Sequence, residues 1–147
     1  MAQTFSTELT GINSLPAVKP AVPAYGGRVR RYRATVTLAA QAAADTIVLA
    51  KIPAGQVFAF GNITSTVSLG GVATIAIGNA AFPALYRAAA LSTAVETPTG
   101  FGAGTLLTAS LASVSGYAAE ETILATIAAA SLPGAGTAVF DIYTSQA

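Results

Sequence analysis

The sequence has no cysteine, no histidine and no tryptophan, and only 9% of its 147 residues are charged. Without cysteine there is no disulfide framework and no thiolate to bind a metal. Without histidine as well, Ser-His-Asp and Cys-His nucleophilic arrangements and His/Cys zinc sites are excluded. A carboxylate pair for glycoside hydrolysis would have to come from six acids. Glu120 and Glu121 are adjacent, so on a strand they point to opposite faces and read as a solvated strand start. The Gly-rich "GFGAG" (100–104) lacks the Lys-Ser/Thr of a P-loop and the spacing of a dinucleotide fingerprint. Asp45 and Asp141 have no EF-hand spacing around them, and Asn62-Ile63-Thr64 matches the glycosylation pattern by letters only. The expectation is a protein that is not an enzyme, with no cofactor and no metal.

Long hydrophobic runs are missing too. The most apolar stretches, Ala80 to Leu91 and Ile123 to Leu132, are short and cut by Pro83, Arg87 or Thr126. A spanning helix needs roughly 18–20 apolar residues in a row, so no membrane partner is expected. The start, "MAQTFSTELT", has no basic stretch, apolar run or small-residue cleavage site, which predicts a product made in the cytosol. Yet apolar residues make up 53% of the chain. A freely soluble monomer normally keeps a well-charged surface, so this composition predicts surface covered by other subunits. The plainer alternative is a compact domain surfaced with Thr, Ser, Gly and Ala.

What charge there is lies unevenly. Residues 1–33 carry Lys19, Arg28, Arg30, Arg31 and Arg33 against Glu8, a net of +4. Residues 34–147 carry Lys51 and Arg87 against Asp45, Glu96, Glu120, Glu121 and Asp141, a net of −3. A basic front on a mildly acidic body suggests a leading segment that meets something negative. Pro16, Pro20 and Pro23 punctuate "LPAVKPAVPAYGG", fixing φ and biasing their predecessors toward extended geometry. Residues 1–30 therefore read as an extended N-terminal arm laid along a neighbouring surface, with a disordered tail as the alternative.

From residue 31 onward the period is two. Tyr32, Ala34, Val36 and Leu38 fall on one face, and Arg31, Arg33, Thr35 and Thr37 on the other. Further strands are expected at 45–52, 56–69, 72–78, 106–116, 120–132 and 137–145. "PAG" (53–55) reads as a turn, Gly61 as a bulge or close approach, and Gly70-Gly71 as a hairpin signal. "FPALYRAAAL" (82–91) permits one short helix, and "ETPTGFGAGT" (96–105) reads as loop. Short strands every 8–12 residues or so, separated by Gly and Pro, predict an all-β antiparallel sandwich over residues 31–147, in its jelly-roll version.

Arg28, Arg30, Arg31 and Arg33 are the candidate partner-binding residues. An acidic protein surface would be held by bidentate Arg–carboxylate pairs. Nucleic acid is the weaker partner, because only Tyr25 and Tyr32 lie close enough to stack and no second basic strand completes a groove. A third reading is an exposed strand edge kept soluble by charge. A carbohydrate platform would have to be assembled from Phe82, Tyr86 and Phe101.

The ordering of these pieces resembles the small β-rich decoration, or cement, proteins on the heads of tailed bacteriophages. A Pro-rich arm leads into "RYRATVTLAAQAAADTIVLAKIPAGQVFAFGNITSTVSLGGVATIAIGNAAFPALYRAAA", followed by "TPTGF" and a closing "GTAVFDIYTS". The resemblance covers most of residues 30–145 and carries no functional residue with it. It implies a virion surface protein that binds the major capsid protein lattice as a homotrimer or homodimer. A head fibre base or a tail component would share this outline, and a nucleic-acid-binding module led by the basic segment is the alternative from another class.

Overall fold

Along the first strand the inward and outward residues alternate as the period of two predicts: Tyr32, Ala34 and Val36 are half-buried while Arg31, Arg33, Thr35 and Thr37 are exposed. The computed structural model describes residue 16, residues 28–102 and residues 116–146. The arm ahead of Arg28, except Pro16, and the strand expected at 106–116, up to its last residue, lie outside the described residues.

Among the described residues there are eight strands and no helix: β1 (Val29–Thr37), β2 (Thr46–Ile52), β3 (Gln56–Ser65), β4 (Thr74–Gly78), β5 (Arg87–Ala90), β6 (Thr99–Phe101), β7 (Glu121–Ala128) and β8 (Thr137–Gln146). One sheet runs β1-β8-β3-β6 and the other β2-β7-β4-β5, with every pairing antiparallel. The pairs β1·β8, β2·β7, β3·β6 and β4·β5 thus alternate between the two sheets. A single long hairpin wound around a core produces this order, which is the jelly roll.

The two inner faces supply Ile63, Phe140 and Ile142 from one sheet and Ile52, Ile75, Ile77, Ile123 and Ile127 from the other, all essentially inaccessible to solvent. Each such side chain contributes about 1.5–3 kcal/mol by leaving water. β7 is a strand despite its alanines because Ile123, Ala125 and Ile127 occupy the inward positions. Its tertiary burial overrides the helical preference of Ala. Inside the core, the ring of Phe58 stacks on Tyr86 with centroids 4.3 Å apart. The hydroxyls of Tyr86 and Tyr117 meet at 2.6 Å, and burial raises the pKa of both phenols, that of Tyr117 to about 12. At one end of the sandwich, Gln56 Oε1 accepts hydrogen bonds from Tyr32 Oη (2.9 Å) and Thr144 Oγ1 (2.6 Å), joining β1, β8 and β3 through a satisfied polar cluster.

Four sequence expectations are corrected. Residues 82–91 do not form a helix. Asn79 Oδ1 accepts the Phe82 N–H, Leu85 N–H donates to the Phe82 carbonyl, and Tyr86 N–H donates to Ile77, so the chain turns back into β5. Gly78 makes room for this turn, since a Cβ there would collide with the Phe82 carbonyl and Pro83. Burying Tyr86 and Arg87 outweighs the local propensity of the alanines. Residues 96–105 are not all loop, because Thr99–Phe101 pairs with Gly61–Ile63 as β6. The expected strand 56–69 ends at Ser65, and Gly70-Gly71 is no hairpin, since β3 and β4 belong to different sheets. Residues 66–73 cross between them, with Leu69 fully buried beneath the crossing. Gly61 does provide the close approach expected of it, the Phe101 ring lying where a side chain would go. The bulge in β3 falls between Phe58 and Phe60 instead.

Because Tyr86 fills the centre of the core at 1% exposure, Tyr86→Ala should cost about 3–5 kcal/mol of unfolding free energy in a urea titration. Tyr86→Phe, which keeps the ring, should cost only about 1 kcal/mol.

Candidate protein-binding surface

Strand β1 places the four arginines, but not on one face. Arg31 and Arg33 take the outward positions, opposite Tyr143 and Asp141 of β8. Arg30 has the opposite parity and is paired with Thr144. It lines a small hollow of about 260 Å³ at the end of the sandwich with Pro53, Gln56 and Gln146. Arg28 lies exposed just before the strand. The alternation of β1 therefore splits the cluster between the outer face of a sheet and its rim.

The outer face carries two cross-strand rows. In the first, Arg31 of β1, Tyr143 of β8 and Phe60 of β3 stand side by side. Tyr143 and Phe60 stack with centroids 4.5 Å apart and planes inclined by 16°, and Phe60 remains 41% exposed. In the second row, Arg33, Asp141, Asn62 and Gly100 follow one another across all four strands. Arg33 donates through Nε to Asp141 Oδ1 (2.8 Å) and through Nη2 to Oδ2 (2.7 Å), a bidentate ion pair. The hydrogen bond from Arg33 and its charge, with a smaller contribution from Arg31, hold the Asp141 carboxyl below the usual carboxylate range. The same hydrogen bond and the negative charge of Asp141 raise the pKa of Arg33.

Arg33 is thus already engaged by its own chain, whereas Arg28, Arg30 and Arg31 make no ion pair among the described residues. Sequence reasoning overlooked Phe60 and Tyr143 and weighed Asp141 only against a calcium site, although all three sit at outward strand positions where a large aromatic or a charge is informative. The carbohydrate platform is corrected: Tyr86 and Phe101 are core residues packed on Phe58, and only Phe82 reaches solvent. Glu121 accepts a hydrogen bond from Asn79 Nδ2 at 2.6 Å. No group of three or more metal-ligating side chains occurs among the described residues, nor does any helix long and apolar enough to cross a membrane.

The face so defined belongs to a jelly roll with a mixed cationic and aromatic surface. No protein family matches the chain, and no curated protein does. Solved structures do. A chain of the cyanophage Pam1 capsid asymmetric unit superposes with a TM-score of 0.62 at 15% identity, covering 84% of this chain and 88% of that one. A chain of the capsid of Ralstonia phage GP4 superposes with a TM-score of 0.62 at 19% identity, covering 82% and 86%. This chain therefore has the fold of those two chains over nearly their whole lengths.

The depressed carboxyl of Asp141 fixes the sign of a pH effect. The ion pair stabilises the fold fully above the unfolded pKa of about 3.9 and loses its effect as pH falls through the lower folded value. Asp141→Asn should lower the melting temperature at pH 7, and the gap to wild type should close in thermal melts taken progressively below about pH 4. A gap that stays constant into strong acid would deny the ion pair any role in stability.

Proposed function

We propose that this chain is a non-enzymatic structural component of a bacteriophage head, a decoration or cement protein on the capsid surface. In this reading it assembles as a homotrimer or homodimer and binds the lattice of the major capsid protein. Residues 1–30 grip neighbouring subunits, and Arg28, Arg30, Arg31 and Arg33 meet acidic groups on the shell. The observation that carries the proposal is the shared fold: both similar chains come from phage capsids and are covered almost end to end.

Surface chemistry supports it. The outer face of the sheet β2-β7-β4-β5 carries Thr46, Val48, Thr122, Leu124, Thr126, Thr74 and Ala76, with Lys51 as the only charge among its outward-facing strand positions. Such a face suits contact with another protein better than contact with water alone. The other outer face offers guanidinium groups beside a stacked aromatic pair, and Arg and Tyr are both enriched where proteins bind one another. Since Asp141 occupies Arg33, the work of binding shell carboxylates falls mainly on Arg28, Arg30 and Arg31.

Replacing Arg28, Arg30 and Arg31 together by Ser should reduce occupancy on purified capsids that lack the protein by about tenfold or more, with an unchanged circular dichroism melt. Unchanged occupancy would remove these arginines from the account. Salt-sensitive shifting of DNA on a gel, abolished by the same triple substitution, would favour a nucleic-acid partner instead.

A further inference from the structure

Among the described residues Arg87 has no carboxylate partner. The residue is 9% exposed, and its Nη1 donates to the carbonyls of Ile75 and Ala90 while its Nη2 donates to that of Leu91. Among the described residues Nε and the second Nη2 hydrogen meet no acceptor. Arg33, in the same fold, uses its Nε/Nη2 edge to hold Asp141; in Arg87 the corresponding donors are only partly used. Burial lowers the pKa of Arg87, and no neighbouring charge offsets it. A buried cation left this way is costly unless an anion is supplied.

Arg87 also lines a cleft of about 590 Å³ between β5 and β6, whose other walls include Phe60, Tyr86, Ala88 and Phe101. Both strands are sheet edges, and β5 presents the exposed, uncharged run Ala88–Ala90. A short edge without charged guards is open to an added extended segment. The site thus asks for a peptide that brings one carboxylate and apolar side chains.

The chain itself contains one candidate. Of its six acidic residues, Asp141 holds Arg33, Glu121 takes the Asn79 amide and Asp45 accepts the Ala42 N–H. None of the acids on the described fold, Glu96 and Glu120 included, acts on Arg87. Residues 103–115 contain no acid at all. That leaves Glu8, with Phe5 and Leu9 close on either side. The twenty residues from Glu8 to Arg28 span up to ~65 Å when extended. β1 and β6 are the opposite edges of one four-stranded sheet, only ~14 Å apart.

We propose that the cleft between β5 and β6 is the seat of the segment around Glu8, whose carboxylate takes the unused donors of Arg87 while Phe5 and Leu9 cover the aromatic wall. This gives the arm a second task, one that does not depend on attachment to a shell. The segment closes the open edge of the sandwich and neutralises its buried cation.

Because the chain has no cysteine, disulfide trapping of the full-length protein in solution tests this directly. The pair Thr7→Cys/Ala88→Cys should oxidise about tenfold or more faster than the control pair Thr7→Cys/Val48→Cys, whose second site lies on the far face. Adding Glu8→Gln should remove that advantage; Arg87→Lys, which keeps the charge but not the fork, should reduce it as well. Equal rates for the two cysteine pairs, or a rate at Ala88 indifferent to Glu8→Gln, would overturn the proposal. The proposed role on a capsid would stand or fall separately, since no capsid enters the experiment. The mass of the trapped product tells whether the segment comes from the same copy or another.

Discussion

Strand β8 is paired along nearly its whole length on both sides, with β1 and with β3, and the rest of the molecule depends on that double pairing. Its inward residues Phe140, Ile142 and Thr144 are buried to the last few square ångströms. Its outward residues Asp141 and Tyr143 receive Arg33 from one neighbour and stack on Phe60 from the other. The strand nearest the end of the chain thus ties the first strand to the third. Closing the jelly roll and building its cationic face are one event, because the alternation that sends Ile142 inward sends Tyr143 outward. The face inherits the rigidity of the core.

The scarcity of charge gives this face its meaning. With so few ionic groups, each one's location is informative. Arg33 and Asp141 neutralise each other across β1 and β8. Among the described residues Arg28, Arg30 and Arg31 stand near them without an ion pair, and Arg87 lies inside the opposite edge of the sandwich with no carboxylate beside it. Low charge removes the usual solubility barrier between protein surfaces, and the few cations then fix orientation more than they add affinity.

Much of the architecture was legible in the sequence. β1, β2, β7 and β8 follow from period-two alternation of Val, Ile, Thr and aromatic residues, and the jelly roll from their spacing. β5 and β6 were not legible, for a physical reason. Each is only three or four residues long, and each is held by tertiary contacts and not by its own pattern: β5 by Ile75, Ile77 and the anchoring of Arg87, β6 by the fit of Phe101 over Gly61. Local propensity saw alanines and glycines and predicted helix and loop. The arginine cluster was visible as a run of letters, but its division between face and rim appears only once the parity of β1 is fixed. Asp141 could not be assigned to Arg33 from a separation of 108 residues. Nor could the lone charge of Arg87 be singled out before its burial was known.

The proposed function requires a surface that other copies and a shell cover. Light scattering of the purified chain across a wide concentration range measures that most directly. The account predicts a molar mass that is a small integer multiple of 14.5 kDa and persists on dilution. A single, highly soluble 14.5 kDa species at every concentration would contradict it.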